Sequence, residues 1–352
     1  MDIAVIGPCG DVGRQIVQHI IVERLLTCDR RLVLVGNPQG ESRRSIFGLA
    51  ADLTDAYAEF APRIDVVLDP RELRADLVVM AAGATLPVNG ESKAEGRYAL
   101  AERNAPIFEH YARSLASCGH GHEIVICVSN PNELAVALFA KHLGADRVIG
   151  MGAFLDSLRF RKEIASDLRV PRQMVHAFVA GEHGATLVPL WSNVHVYGFS
   201  DERMAEVVGR LQGRRREGDF PALVADAHAE LRQLLSDGDI PEALRRVDGY
   251  PADVRVAARP FVTHFSGAKT VIGTARATME FLRTITLGAD ALVAGQVSLS
   301  GDVYEVTGTI GVPFVVGNRG VDRIFELPIS DQERRALHHS AEIVATKLQP
   351  YL

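Results

Sequence analysis

Asp156 and Arg159 stand three residues apart in the string Gly152-Ala153-Phe154-Leu155-Asp156-Ser157-Leu158-Arg159-Phe160-Arg161. On a helix that spacing puts both side chains on one face. Gly181-Glu182-His183-Gly184 comes next, with His183 twenty-seven residues after Asp156. A histidine carries a proton near neutral pH, and a carboxylate beside it sets which ring nitrogen holds that proton. A guanidinium grips a carboxylate at two points, which an ammonium cannot do. These residue types suit proton transfer next to a bound organic anion. A His–Asp hydrogen bond that serves packing alone would use the same pair.

A second group lies at the start of the chain. Gly7-Pro8-Cys9-Gly10-Asp11-Val12-Gly13 follows the first apolar run and opens the first helical pattern. Glycines there allow a tight turn and let a pyrophosphate approach the backbone at a helix N-terminus. Gly7, Gly10, Asp11, Val12 and Gly13 are therefore candidate cofactor contacts, and a purely structural turn is the alternative. A site selective for NAD places an acid at the end of the second strand. Here the chain reads Leu34-Val35-Gly36-Asn37, without one. A carboxylate would repel a 2′-phosphate, so its loss leans the expectation to NADP over NAD. Ser42, Arg43 and Arg44 follow, either to meet that phosphate or to face solvent.

The elements that must hold these residues are legible as periodicities. Ile3–Ile6 is a short apolar run, and Val12, Ile16, Val17, Ile20, Ile21 and Leu25 then recur at helical spacing. Leu32–Val35, Ile64–Leu68, Leu77–Ala81, Ile124–Val128 and Val148–Ile149 are further runs. Unbroken apolar runs between helical stretches predict parallel strands covered on both faces, in a doubly wound α/β sheet. The expected division is a dinucleotide-binding domain over 1–150 and an α+β catalytic domain over 151–352. In the second part a helix is expected over Leu155–Leu168, then an apolar run at Val175–Ala180. From 200 to 262 the chain is charged and poorly periodic, with a basic run at Arg214–Arg216. Antiparallel strands are expected at Val303–Val306, Phe314–Val316 and Ile324–Leu327. A last helix begins at Ser330, where Ser330 and Glu333 have capping-box spacing.

Taken together, the L-D-S-x-R-F-R string, the G-E-H-G string and their separation resemble the lactate and malate dehydrogenases. Val128-Ser129-Asn130-Pro131-Asn132 is similar to that family's nicotinamide-side loop, and Gly308-Thr309-Ile310-Gly311-Val312-Pro313 to its C-terminal part. The resemblance implies a Rossmann domain and a nicotinamide-dependent 2-hydroxy acid dehydrogenase, closer to the malate enzymes. His183 would give and take the proton, Asp156 would orient it, and Arg159 would hold the substrate carboxylate. Asn130 would bond the reacting oxygen and help to position the nicotinamide. Ala82, Gly83, Asn104 and Val128 would line the cofactor. Arg97, seven residues before Asn104, matches a loop arginine that polarises the carbonyl. A homodimer or homotetramer is expected from the resemblance alone.

The chain departs from the pattern before Arg97. Ala84 to Gly96 looks longer than the family's loop and has neither the arginine nor the glutamine that discriminates substrates there. Lys93 could meet a distal anion, whereas Glu91 and Glu95 would oppose one. Malate/oxaloacetate is the first expectation, and a lactate-like or bulkier acid the alternative. A non-catalytic cofactor-binding protein and a nicotinamide-dependent glycoside hydrolase are the readings from other classes. The latter would want a metal, and Cys118, His120 and His122 lack a fourth ligand at standard spacing.

Composition sets the outer bounds. The 352 residues are 47% hydrophobic and 23% charged, with a net charge of −6 and four cysteines. That balance gives no electrostatic case for nucleic acid or an anionic membrane. Few, scattered cysteines argue against a disulfide framework and fit a reducing cytoplasm. His338 and His339 are expected on the surface of the last helix.

Overall fold

The computed structural model describes residues 1–85, 96–212 and 219–352. Its first half alternates β1 (Ile3–Ile6), α1 (Asp11–Val22), β2 (Arg31–Val35), α2 (Ser45–Ala56), β3 (Arg63–Val67) and β4 (Leu77–Met80). Then come α3 (Ala101–Cys118), β5 (Ile124–Cys127), α4 (Asn132–Leu143) and β6 (Val148–Gly150). The strands lie in the order β3-β2-β1-β4-β5-β6 and pair in parallel. Successive side chains of β1 serve opposite faces, as the strand period requires. Ile3 and Val5 pack with Ile16, Val17, Ile20 and Ile21 of α1. Ala4 and Ile6 pack with Phe108 of α3 and with Leu134, Leu138 and Phe139 of α4. Each fully buried isoleucine, valine or leucine among them contributes about 1.5–3 kcal/mol. With β2 and β4 on either side of β1, the chain winds outward in both directions from β1, which opens a crevice at its carboxyl end.

The sheet does not stop at β6. A long antiparallel hairpin of β11 (Ala291–Ser300) and β12 (Thr307–Gly317) continues it, joined where Gln296 pairs with Gly150. Beyond β12 lie β8 (Val179–Gly181) and β9 (Leu187–Pro189), and β13 (Gly320–Ile324) also pairs with β12. α5 (Gly152–Leu168) and α11 (Asp331–Leu348) pack on this half. α11 begins with the expected capping box: the Ser330 side chain accepts from the Glu333 amide, and the Glu333 carboxylate accepts from the Ser330 amide. α10 (Val271–Leu287) packs back against α1.

Several expectations are corrected. The run Val175–Ala180 is two strands: β7 (Val175–His176) pairs with β10 (His195–Val196) in a separate small sheet, and β8 joins the main one. Val303–Val306 is a turn, since Tyr304 and Glu305 adopt positive φ of 51° and 57°. The Tyr304 ring is buried there, with its hydroxyl bonded to the backbone of Leu327. The last strand ends at Ile324, ahead of the expected Leu327. His338 is half-buried and bonded through Nε2 to the Tyr304 carbonyl at 2.7 Å, while His339 is exposed.

The aperiodic 200–262 stretch forms α6 (Asp201–Gln212), α7 (Asp219–Ser236), α8 (Ile240–Asp248) and α9 (Ala252–Phe265). Leu231, Leu235, Ala243, Val247, Ala258 and Val262 make a small core of their own. Arg214–Arg216 lies outside the described residues. The helices are tied to α5 by a buried ion cluster. Glu163 accepts from Arg255 at 2.7 Å and from Arg259 at 2.9 Å, and Arg255 also meets Asp167 at 2.7 Å.

Candidate active site

α5 presents Asp156 and Arg159 on one face, as their spacing requires. Ser157 fixes that face against the sheet: its hydroxyl donates to the Ala153 carbonyl at 2.7 Å and accepts from the Val179 amide at 2.9 Å. β8 then delivers His183 two residues past its end. His183 Nδ1 lies 2.6 Å from Asp156 Oδ2, and Arg159 Nη1 donates to Asp156 Oδ1 at 2.9 Å. Histidine and aspartate are both buried, whereas Arg159 is 18% exposed. The carboxylate thus bonds the Nδ1 side of the ring.

The histidine is placed by more than its partner. Its backbone amide donates to Glu133 Oε1 at 2.6 Å, and Gln296 Nε2 donates to the same oxygen at 3.2 Å. Gln296 Oε1 in turn accepts from the Ala153 amide at 3.0 Å, and Asn132 Oδ1 from the Gly152 amide at 3.2 Å. Gly152 is glycine for a steric reason: a Cβ there would fall 2.4 Å from His183 Cγ. Glu133, Gln296 and Asn132 were not singled out from the sequence. They act on main-chain amides, and Glu133 and Gln296 do so over 50 and 143 residues, so no local motif marks them.

The loop after β5 comes close to the same point. Asn104 is fully buried and braces it, donating to the Asn130 carbonyl at 2.6 Å and the Ala84 carbonyl at 3.1 Å, and accepting from the Ala84 amide at 2.7 Å. Its amide is spent on these loops. Gly83 lies against that amide with φ of +150°. Ser129 Oγ donates to the Ala82 carbonyl at 2.7 Å. Val128 is buried next to it. Asn130 Oδ1 is buried and has no hydrogen-bond partner among the described residues. An unmatched acceptor of this kind costs about 1–3 kcal/mol, which a donor from outside would recover.

The glycine loop has the shape expected for a pyrophosphate cradle. Gly7 takes φ of +84°, and a Cβ on it would lie 2.7 Å from Ala82 Cα. A Cβ on Gly13 would fall 2.1 Å from the Gly7 carbonyl oxygen, so the loop and helix touch backbone to backbone. A Cβ on Gly10 would meet, among the described residues beyond its chain neighbours, only the Gly7 oxygen within 4 Å, at 3.5 Å. No side chain caps α1, and its first-turn amides lack partners within the helix, which fits an anion. Val12 is half-buried against the core. Asp11, the first residue of α1, pairs with Lys269 at 2.8 Å. With Asn130 Oδ1, these features fit the residues to a dinucleotide.

At the end of β2, Gly36 donates to the Val67 carbonyl at 2.9 Å, and Tyr111 donates to the Gly36 carbonyl at 3.3 Å. Burial pushes the Tyr111 hydroxyl up to about 12, so it remains a donor. Asn37 turns its Oδ1 onto the Gln39 amide, which occupies that acceptor. Ser42 is half-buried, and Arg43 and Arg44 are exposed. Arg97 lies on the short turn Gly96–Leu100, and its side chain is outside the described residues, as is Lys93. His120 faces the Ala75 carbonyl at 3.2 Å, and among the described residues no His, Cys, Asp and Glu group could hold a metal. No described helix is long and apolar enough to cross a membrane.

A family model described as the lactate/malate dehydrogenase NAD-binding domain matches residues 1–150. The α/β C-terminal domain model of the same family matches 153–228 and 252–351. An L-lactate dehydrogenase of Latilactobacillus sakei is 30% identical over 302 residues, covering 84% of this chain and 80% of that protein. Among solved structures, a Cryptosporidium parvum lactate dehydrogenase, complexed with lactic acid and NAD, aligns with a TM-score of 0.75 at 25% identity over 99% of this chain and 97% of that one. A malate dehydrogenase from the same organism shares the fold, with a TM-score of 0.76 at 22% identity over 99% and 98% of the chains. With both halves matched in order, the chain belongs to the lactate/malate dehydrogenase family of oxidoreductases.

Proposed function

We propose that this protein interconverts a small 2-hydroxy acid and its 2-oxo acid, with His183 and Asp156 as the proton-transfer pair. The buried 2.6 Å contact between His183 Nδ1 and Asp156 Oδ2, with Arg159 on the same carboxylate, carries this reading. A bound nicotinamide dinucleotide supplies or accepts the hydride. The chain's residues do the rest. Asp156 fixes the tautomer and favours the imidazolium, so that Nε2 gives its proton to the carbonyl oxygen on reduction and takes it back on oxidation. Arg159 holds the substrate carboxylate. Asn130 bonds the reacting oxygen, and Arg97 polarises the carbonyl from its loop. Gly7, Gly10, Val12 and Gly13 would hold the pyrophosphate, with Ala82, Gly83 and Val128 along the same crevice.

Malate/oxaloacetate is the leading pair, on the glycine loop and the C-terminal half. The L-lactate dehydrogenase name of the 30% identical relative favours lactate/pyruvate as the second. The residues that would discriminate fall within 86–95, outside the described residues. For the cofactor, the strand end at Gly36 has no acid, which leaves room for NADP, whereas Arg43 and Arg44 are exposed, as the solvent-facing reading of them requires. The NAD-binding description of the matching family supports NAD. Two assays decide. Turnover of oxaloacetate, pyruvate and bulkier 2-oxo acids should show one acid preferred at least about tenfold in kcat/KM. Poor oxaloacetate turnover beside good turnover of another acid overturns malate. A strong NADH preference over NADPH overturns NADP.

A further inference from the structure

Glu182 immediately precedes His183, and its carboxylate is 3% exposed. It is held by Lys347 of α11 and by Thr186 of its own loop. Lys347 Nζ donates to Glu182 Oε1 at 2.8 Å. Thr186 donates to Oε2 through its amide at 3.0 Å and its hydroxyl at 2.6 Å. The Glu182 amide donates to Ser340 Oγ at 2.9 Å, and Ser340 meets Thr186 Oγ1 at 2.9 Å. Ser340 and Lys347 are two turns apart on one face of α11. Burial pushes the Glu182 carboxyl up, but the hydrogen bonds from Lys347 and Thr186 outweigh this and hold it below the usual range.

Lys347 has a second contact. Its ammonium sits 4.4 Å from the centroid of the Tyr98 ring. Tyr98 lies in the turn Gly96–Leu100, next to Arg97 in the chain. One cation therefore touches both the neighbour of the proposed acid–base residue and the neighbour of the proposed loop arginine. A cation–π contact contributes about 0.5–2 kcal/mol, and a charge-assisted hydrogen bond to a buried carboxylate contributes more. Neither contact reaches a reacting atom.

We propose that Lys347 is a positioning residue that couples the Arg97-bearing turn to the peptide carrying His183, so that the two halves of the site are held in register by one side chain of the last helix. This rests on the dehydrogenase reading above. A Lys347→Met variant should lose kcat by roughly tenfold, as expected when catalytic groups are slightly misplaced. KM for the 2-oxo acid should change far less, because Arg159 is untouched. Lys347→Arg keeps a cation for both partners and should restore most of the loss. In Tyr98→Leu the ring contact goes without baring a buried carboxylate, so it serves where Lys347→Met folds poorly. If the coupling runs through the ring, the double variant loses no more than Lys347→Met alone. Hydrogen exchange gives a readout independent of turnover. In Lys347→Met the amides of 96–104 and 181–186 should both exchange faster, with Ile3–Ile6 unchanged. Losses that multiply in the double variant, kcat within twofold of wild type in a destabilised Lys347→Met, or faster exchange in only one of the two segments would overturn the proposal. Absence of wild-type turnover on every 2-oxo acid overturns the dehydrogenase reading instead, and exchange alone then judges Lys347.

Discussion

At the scale of the residue, the proposed chemistry depends on a histidine whose ring is fixed on two sides. Asp156 holds Nδ1, and Gly152 leaves no side chain where the ring lies. His183→Ala should lower kcat by about 10²–10⁴, the usual contribution of a positioned acid–base group. Arg159→Lys should act mainly on KM, because an ammonium cannot form two parallel bonds to a carboxylate. Steady-state kinetics on the preferred 2-oxo acid checks both. Gly152→Ala should displace the ring and cut kcat while circular dichroism shows an intact fold, and an unaffected kcat would mean that the ring has room to move. Asp156, Arg159 and His183 were legible in the sequence because residue type, spacing and surrounding strings agree. Glu133 and Gln296 were not, since their hold on the histidine passes through backbone amides. The free acceptor of Asn130 was legible only as part of a loop string, and its burial needed the fold.

At the scale of the element, strands buried on both faces declare themselves as unbroken apolar runs. Strands β1 to β6 were therefore read to within a residue or two. α6 to α9 were hidden because charge interrupts their buried faces, as Asp253 and Arg255 do in α9. In α8 the buried residues are only Ala243 and Val247, one helical turn apart. Side chains distant in sequence supply what local pattern lacks, above all the Glu163 cluster between α5 and α9. Burial pushes the Glu163 carboxyl up, yet hydrogen bonds from Arg259 and Lys162 and their charges hold it below the usual range. The unfolded chain titrates near pH 4.3. A depressed folded pKa gives stability that is complete above that value and drains as pH falls through the folded one. Glu163→Gln should therefore flatten the acid side of the stability–pH curve below about pH 4. Glu163→Ala, which leaves Arg255 without its main buried partner, should cost about 3–5 kcal/mol. Denaturant titrations at pH 7 and at lower pH measure both effects.

At the scale of the whole molecule, the two family-matched regions share one sheet and one large core. Residues from β1 and α1 belong to the same buried cluster as Phe281, Val297 and Phe314. Calorimetry should accordingly give one unfolding transition, and two resolved peaks would show that the regions melt separately. A dinucleotide at 100 times its Kd should add about 2.7 kcal/mol to that transition, whether or not a substrate has been found. An unchanged Tm with either nicotinamide dinucleotide would count against the crevice after β1 as a cofactor site.

The Gln296–Gly150 pairing also bears on how the gene could be cut. An edge with unpaired amides and carbonyls invites another strand. A chain ending at residue 150 would bare the outer side of β6, and a chain starting at 151 would bare the matching side of β11. Made separately, each fragment should tend to aggregate through that edge. Made together in one cell, the fragments carry the complementary rim each lacks, and they should reassemble into a soluble split enzyme, detectable by co-purification through a tag on either piece.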